Sequence, residues 1–493
     1  MSPYLIAAIL VGYFALLFAI SIITSKNAND ASFFSGNKKS SWYLVAFGMI
    51  GTSLSGVTFV SVPGGVGAGA WHYYQLVLGF FIGYFVVAYV LLPLYYKYNL
   101  TSIYRYLEIR LGFNAYQWGA GYFLLSRTLG ATVRLYLVIN VLQLFVLKEL
   151  NFPFWLTTLI IMLMIVIYTL KGGVKTIVWT DTLQTVFMLL ALVVCIVAIQ
   201  QALGWDWSTI WSKMEAKELT GMWSWDPMKK DYFLKHIIGG AFITITMTGM
   251  DQEMMQKNIS VKTLKDAQKN IVSFSFILLL VNALFLLLGG VLYIYAQQNG
   301  WEYTPDSVFP GIVRDHLPQG IFLIFIIGLI SALFPSVDGA ITALTSSFCI
   351  DILGFERKQK RNEQQQTRLR KMVHIGFAIV FTLLVFYFKM KEEDKNSIVD
   401  LIFTIASYTY GPLLGLFSFG ILTKRSIIAA KIPIVPIVCI LSPLICYLLD
   451  VNAESLFGTY KFGNEILIIN GTITFLLLFA FSKKQAETSL ENL

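Results

Sequence analysis

The sequence predicts an all-α polytopic membrane protein of about thirteen transmembrane helices, and three observations carry that expectation. Hydrophobic residues make up 56% of the 493, and charged residues only 13%, about half the share usual in soluble domains. Stretches such as 156–170 and 185–199 hold no charge at all. Two apolar stretches are interrupted by Gly, Ser and Thr, five spans apart, as an inverted five-plus-five repeat requires. The composition excludes a soluble multidomain enzyme, a secreted disulfide scaffold and a disordered chain.

A span needs roughly 20 apolar residues. Thirteen segments qualify: 4–24, 43–69, 73–96, 116–147, 153–170, 181–203, 233–255, 271–297, 320–350, 373–389, 398–422, 427–449 and 464–481. They are expected to form one transmembrane domain over 1–493, in which a five-plus-five repeat would take 43–203 and 233–422 and leave 4–24 before it and 427–481 after it. Segment 4–24 lacks the basic start and small-residue cleavage site of a signal peptide. Of the 37 Lys and Arg, 24 fall in one alternate set of loops and eleven in the other. Basic loops stay cytoplasmic, so the N-terminus is expected outside and the C-terminus inside. This also accounts for the net charge of +9 without nucleic acid. The four cysteines lie in apolar segments and the four histidines are scattered, so neither disulfides nor a transition-metal site is expected. The Trp-rich loop 204–232 reads as an interfacial belt, and the basic stretch 357–371 as a solvated inside helix or linker. Gly64–Gly69 has a nucleotide-loop composition without the flanking strand that such a loop needs.

The first interruption reads Gly51-Thr52-Ser53-Leu54-Ser55-Gly56, and the second Thr244-Ile245-Thr246-Met247-Thr248-Gly249-Met250-Asp251-Gln252. Broken backbone inside a membrane is tolerated where it lines a cavity or binds something. Small-residue packing between helices is the alternative reading. Intramembrane charges are functional hypotheses by default. Asp181 reads either as a helix N-cap at the start of its span or as a cation ligand. Asp338 lies mid-span beside Ser336 and Pro335; a proline frees a carbonyl one turn earlier, so the cation reading is stronger there. Asp251, with Gln252, Gln256 and Lys257, reads as an inside hinge. Arg127 and Arg134 share one helix face. Each either pairs with Asp338 or Asp181 or receives an anionic group of a ligand. Tyr408 and Tyr410 precede Gly411-Pro412 and either line a pocket or pack.

The motifs resemble the sodium:solute symporter family, over nearly the whole chain. Tyr168-Thr-Leu-Lys-Gly-Gly-Val-Lys-Thr-Ile-Val-Trp-Thr-Asp181-Thr-Leu-Gln184 resembles the family signature. The segment Thr101–Gly112 is similar to that after the second core helix, Asp251-Gln252 with Gln256-Lys257 to a DQxxxQR segment carrying Lys for Arg, and Gly411–Gly420 to the tenth core helix. The resemblance implies a LeuT-type fold and a Na+-coupled symporter, not an enzyme, in the plasma (cytoplasmic) membrane. Its partners would be a small solute and membrane lipid, with the oligomeric state open.

The resemblance also implies sites. The sodium site between the first and eighth core helices falls on the carbonyls of Gly51, Leu54 and Ala332 and on two hydroxyl positions, Pro335 and Ser336. Ser336 fits; Pro335 has no hydroxyl. A second site in some members uses the carboxylate matched by Asp181 and hydroxyls at positions held here by Pro335, Asp338 and Gly339, so Asp338 is expected to supply the missing oxygens. Solute contacts are expected from Thr52, Ser53, Ser55 and Thr58, from Tyr74 and Gln75, and from Arg134, Thr248 and Tyr408. The arginines favour an acidic sugar or other carboxylate over a neutral sugar or polyol; the rival classes are a membrane-embedded enzyme, for which the sequence offers no nucleophile–base pair or metal cluster, and a channel, which flux coupling would exclude.

Overall fold

The computed structural model describes residues 3–26, 30–147, 152–355, 357, 362–391, 398–428 and 433–484. An isolated apolar helix, α1 (Pro3–Thr24), is followed by a bent pair, α2 (Trp42–Ser53) and α3 (Gly56–Gly69). Then come α4 (Tyr73–Lys97), α5 (Phe113–Leu142), α6 (Phe154–Leu170) and α7 (Gly172–Leu203). The order then repeats: a bent pair, α8 (Phe233–Gly249) and α9 (Gln252–Ile259), and the helices α10 (Leu264–Asn299), α11 (Gln319–Ile352), α12 (Glu363–Met390) and α13 (Ile398–Leu422). Helices α14 (Ile434–Val451) and α15 (Glu465–Ala480) close the chain. Among the described residues, eight helices are long and apolar enough to cross a membrane alone; the two bent pairs and three shorter apolar helices bring the crossings to thirteen.

Contacts between loops sort the helix ends into two faces. At one face the Lys461 amide donates to the Met228 carbonyl (3.1 Å), and Trp71 to Gly221 (3.0 Å). At the other, Ser40 donates to Ser260 (3.1 Å), and the Arg110 guanidinium to Thr423 (2.6 Å). There too β1 (Arg425–Ile427) pairs antiparallel with β2 (Ser482–Lys484). The first face carries a Trp-bearing helix, Trp207–Ala216, and the exposed Trp223 and Trp225. The second carries the Lys- and Arg-rich loops.

Both interruptions are true breaks. The chain bends by 56° between α2 and α3 and by 63° between α8 and α9. At the first, Leu54 (φ −89°, ψ 78°) and Ser55 (φ −72°, ψ 173°) leave the helical region, so the last carbonyls of α2 lose their intrahelical donors. At the second, α8 widens into a π-turn over Ile245–Gly249, and Asp251 caps α9 by accepting from Glu253 N (2.9 Å) and Met254 N (3.3 Å).

Both halves of the first broken helix touch α10 and α11, but α2 is held most extensively on α7 and α3 on α10. Helix α2 is tied to α7: Thr182 Oγ1 donates to the Leu44 carbonyl (3.2 Å), and the Gly51 amide donates to Thr185 Oγ1 (3.0 Å). Helix α3 lies on α10, where the Tyr293 hydroxyl donates to the Gly64 carbonyl (2.6 Å). Helices α4 and α8 approach closely because Gly79 and Gly240 face each other; a Cβ on Gly79 would lie 2.9 Å from Gly240 Cα. Helix α1 docks through Tyr13 to Ser331 of α11 (2.8 Å) and Ser21 to the Tyr168 carbonyl (2.7 Å).

Three elements depart from the sequence expectation. Helix α7 starts at Gly172 rather than near 181, because Gly173 kinks the chain at φ +51° without ending the helix; only glycine takes that φ readily. Asp181 therefore sits inside a helix, fully buried, and is not an N-cap. Helix α12 begins at Glu363, inside the basic stretch. Helix α14 starts at Ile434, because Arg425–Ile427 form β1 instead. Residues 358–361 of the basic stretch and 429–432 of the expected 427–449 span lie outside the described residues.

Candidate functional site

The α2–α3 break opens into a cavity of about 840 Å³, mouth included, bounded by α4, α5, α8, α10 and α13. Six expected solute contacts line it: Thr52, Ser53, Ser55 and Thr58 from the break, Arg134 from α5 and Thr248 from the π-turn of α8. Tyr84 from α4 faces Ser53, Thr244 and Thr248, so the hydroxyls of both broken helices converge on one wall.

The two arginines have different surroundings. Arg127 is buried on the cavity floor and ion-paired with Glu253 of α9. Its partner is neither Asp338 nor Asp181. Arg134 lies two turns farther along α5, about 10 Å away. Among the described residues its guanidinium makes no ion pair or hydrogen bond, although it lines the cavity. A charged fork without a protein partner in a partly desolvated pocket is suited to a carboxylate.

Below the floor the charges form a ladder. Glu253 Oε1 lies 3.9 Å from Lys257 Nζ. Lys257 Nζ in turn donates to Asp181 Oδ2 and to Thr52 Oγ1, each at 2.6 Å. The ladder joins α5, α9, α7 and α2, and its charged members are at most 4% exposed. Each polar residue of the Asp251–Lys257 segment has its own task. Asp251 caps α9 and accepts from the Tyr410 hydroxyl (2.7 Å). Gln252 accepts from the Ile103 amide (3.0 Å) and donates to the Thr101 carbonyl (2.8 Å), which brings two of the family-like motifs together. Gln256 donates to Ser346 of α11 (3.1 Å).

The expected cation residues are all buried at the junction of α2, α7 and α11. Pro335 packs against Gly51; a Cβ on Gly51 would be 3.4 Å from its ring. Ser336 donates to the Leu333 carbonyl (2.8 Å). The Asp338 carboxylate accepts from the Tyr168 hydroxyl and from the Gly339 amide, both at 2.5 Å. Among the described residues neither arginine pairs with it. Freed carbonyls at the break, a hydroxyl and a carboxylate are the oxygen ligands a hard cation takes.

Three expected solute contacts lie elsewhere. The Tyr74 hydroxyl reaches the Leu279 carbonyl (3.4 Å), and its neighbour Tyr73 faces the cavity instead. Gln75 is fully buried and structural: it donates to the carbonyls of His72 (3.0 Å) and Asp231 (3.4 Å) and accepts from Ser224 N. Burial disfavours the Asp231 carboxylate, but hydrogen bonds from His72 (2.6 Å) and Ser224 outweigh it and hold it below the usual range. Tyr408 donates to Asp450 (2.7 Å) and lines an outer cavity of about 770 Å³. Tyr73 and Phe403 line both cavities and form the partition between them.

Sequence reasoning missed Glu253, Tyr73 and Asn282. Asn282 lines the cavity, and its Oδ1 is buried without a partner; it is a lone amide in the apolar run 276–288, a signal that was available. Lys257, which the sequence places in an inside hinge, is instead buried in the ladder.

The profile of the sodium:solute symporter family matches residues 33–428. The sodium/sialic acid symporter SiaT of Proteus mirabilis is 25% identical over 97% of this chain and 96% of its own length. The sodium/sialic acid symporter NanT of Aliivibrio fischeri is 23% identical over 85% and 83%. The substrate-bound, outward-open structure of a Na+-coupled sialic acid symporter superposes with a TM-score of 0.83 at 20% identity, covering 97% of this chain and 99% of that one.

Proposed function

The chain belongs to the sodium:solute symporter family, and from that premise we propose that it imports an acidic sugar of the sialic acid class. The Arg134 fork, which has no ion pair or hydrogen bond among the described residues and lines a hydroxyl-bearing cavity, supports this reading most directly, and the two sialic acid symporters similar over most of the chain support it too. The protein is a multi-pass membrane protein of the LeuT-type fold and a Na+-coupled symporter. Na+ held at the α2–α3 break and α11 favours the arrangement in which the cavity communicates outward. Solute then binds with its carboxylate on Arg134 and its hydroxyls on Thr52, Ser53, Ser55, Thr58 and Thr248. The two repeats rock, and Na+ and solute leave inside. Each inward charge contributes about 2.3 kcal/mol per 100 mV. This is carrier chemistry, with no bond made or broken. The decisive experiment is uptake into proteoliposomes under an inward Na+ gradient. Labelled sialic acid should accumulate with Na+ and not with K+, and neutral sugars should not compete. Competition by a neutral sugar or polyol at equal concentration would overturn the acidic specificity.

We assign Asp338 to the Na+ site because it is a fully buried carboxylate of α11 whose partners among the described residues are only the Tyr168 hydroxyl and the Gly339 amide. It has no ion pair to break, so Asp338→Asn keeps shape and fold. The variant should lose at least tenfold in apparent Na+ affinity at unchanged thermal stability without Na+. Ser336→Ala should shift Na+ affinity and solute uptake together, since both act through one equilibrium. Wild-type Na+ dependence in Asp338→Asn would remove it from the site.

We place the protein in the plasma membrane, surrounded by lipid, with the N-terminus outside. The basic loops at the face that holds β1 and β2 support this orientation. Thr459→Cys and Lys484→Cys are both at exposed positions. An impermeant thiol reagent added to intact cells should label the first and spare the second; the reverse pattern would invert the topology.

A further inference from the structure

The ladder contains a cation that does not travel. Lys257 Nζ lies 2.6 Å from Asp181 Oδ2 and 2.6 Å from Thr52 Oγ1. It also abuts α11 at one of the altered hydroxyl positions: a Cβ on Gly339 would be 3.2 Å from it. An ammonium there meets a carboxylate and a hydroxyl, with the Glu253 carboxylate 3.9 Å away, the surroundings a small cation would need. Pro335 and Gly339 offer no side-chain oxygen, and neither is required where an ammonium on a tether is already held by Asp181.

The charges of this region agree. Arg127 and Lys257 carry two positive charges, and Asp181, Glu253 and Asp338 three negative ones, all at most 4% exposed. Asp251 accepts from the N-terminus of α9 and from the Tyr410 hydroxyl, and its charge also acts on Arg127. Buried charges require balance. The Lys257 ammonium lies against Asp181 and the Arg127 guanidinium against Glu253, while Asp338 has two hydrogen-bond donors and feels the Lys257 charge only at longer range.

We propose that Lys257 supplies from the chain itself the cation of the carboxylate site at Asp181, so that transport is coupled to a single Na+, held at the helix break with Ser336 and Asp338. This rests on the reading of the protein as a Na+-coupled importer of an acidic solute and adds its ion count. One Na+ with one monoanionic solute moves no net charge; two would move one.

Two measurements test the ion count, and one of them is independent of the solute. Equilibrium dialysis of the purified protein with radioactive Na+, in the absence of solute, should give one bound Na+ per chain and a Hill coefficient near one. Lys257→Ala should bind a second Na+, with the Hill coefficient rising toward two. If that variant does not fold, Lys257→Ala with Asp181→Asn removes both charges together and should bind one Na+ as wild type does. In proteoliposomes, Na+-driven uptake of labelled sialic acid should be insensitive to an imposed inside-negative potential. Two Na+ bound to wild type, none bound, or a Lys257→Ala protein that folds and still binds one, overturns the proposal. Absence of sialic acid uptake with one Na+ still bound would overturn the solute reading and leave the ion count standing.

Discussion

Arg134→Ala will abolish high-affinity binding of the acidic solute while leaving Na+ binding intact. The guanidinium lines the solute cavity and has no protein partner among the described residues, so its removal leaves no buried charge uncompensated in the empty protein. The loss falls on the complex, where the solute carboxylate is left without its partner in a partly desolvated site. Truncating one member of such a pair costs about 2–5 kcal/mol, roughly 30-fold to several-thousand-fold in affinity. Arg134→Lys will fall between the two, because a point charge replaces a planar fork. Isothermal titration with sialic acid at saturating Na+ measures both. Wild-type affinity in Arg134→Ala would move the carboxylate contact elsewhere.

The second large effect is on stability. Arg127 and Glu253 form an ion pair with side chains 5% and 1% exposed. Glu253→Gln strands the guanidinium, and breaking a buried pair from one side costs about 3–5 kcal/mol. Arg127→Met strands the carboxylate, which keeps Lys257 at 3.9 Å, just as the guanidinium keeps the Asp251 charge in Glu253→Gln, so the two single variants will lose comparable stability. The double variant Arg127→Met with Glu253→Gln removes both charges and leaves Lys257 on Asp181, so it will recover much of the loss. Unfolding by denaturing detergent, run as a double-mutant cycle, tests this. Strictly additive single effects would mean that the pair does not hold α5 to α9.

The breaks at Leu54 and near Met250 could be read in the sequence because hydrocarbon penalises interrupted helices. Polar, small-residue stretches in otherwise apolar spans therefore have few explanations. Arg127 and Arg134 were placed on one face by spacing alone, and both line the cavity. The rotation of a helix about its axis is less well fixed. Tyr73 and Tyr74 are adjacent, about 100° apart around α4, and an apolar span with no polar stripe does not reveal which one faces inward. Lys257 and Glu253 were hidden for a different reason. Helix α9 is eight residues long and mostly polar, indistinguishable by hydropathy from a solvated loop. Only its partners on α5, α7 and α2 show it buried. Asp181 was seen as a site, but not its lysine, since the two are far apart in the chain and one arginine-to-lysine change in a motif does not announce where the amine goes.

The tying of α2 to α7 and of α3 to α10 has a mechanical consequence. The two halves of one membrane helix have their main anchors on different helices, although both also touch α10 and α11, and the non-helical Leu54 and Ser55 between them would be the fulcrum of any swing. Helix α2 has 12 residues and is therefore a lever about 18 Å long. Swinging it by about 15° carries its far tip roughly 5 Å sideways, wider than a water molecule, while the cavity wall beside the fulcrum scarcely moves. A small rotation at the middle of the membrane thus becomes a wide aperture at its edge, and the gearing is set by the length of α2 alone.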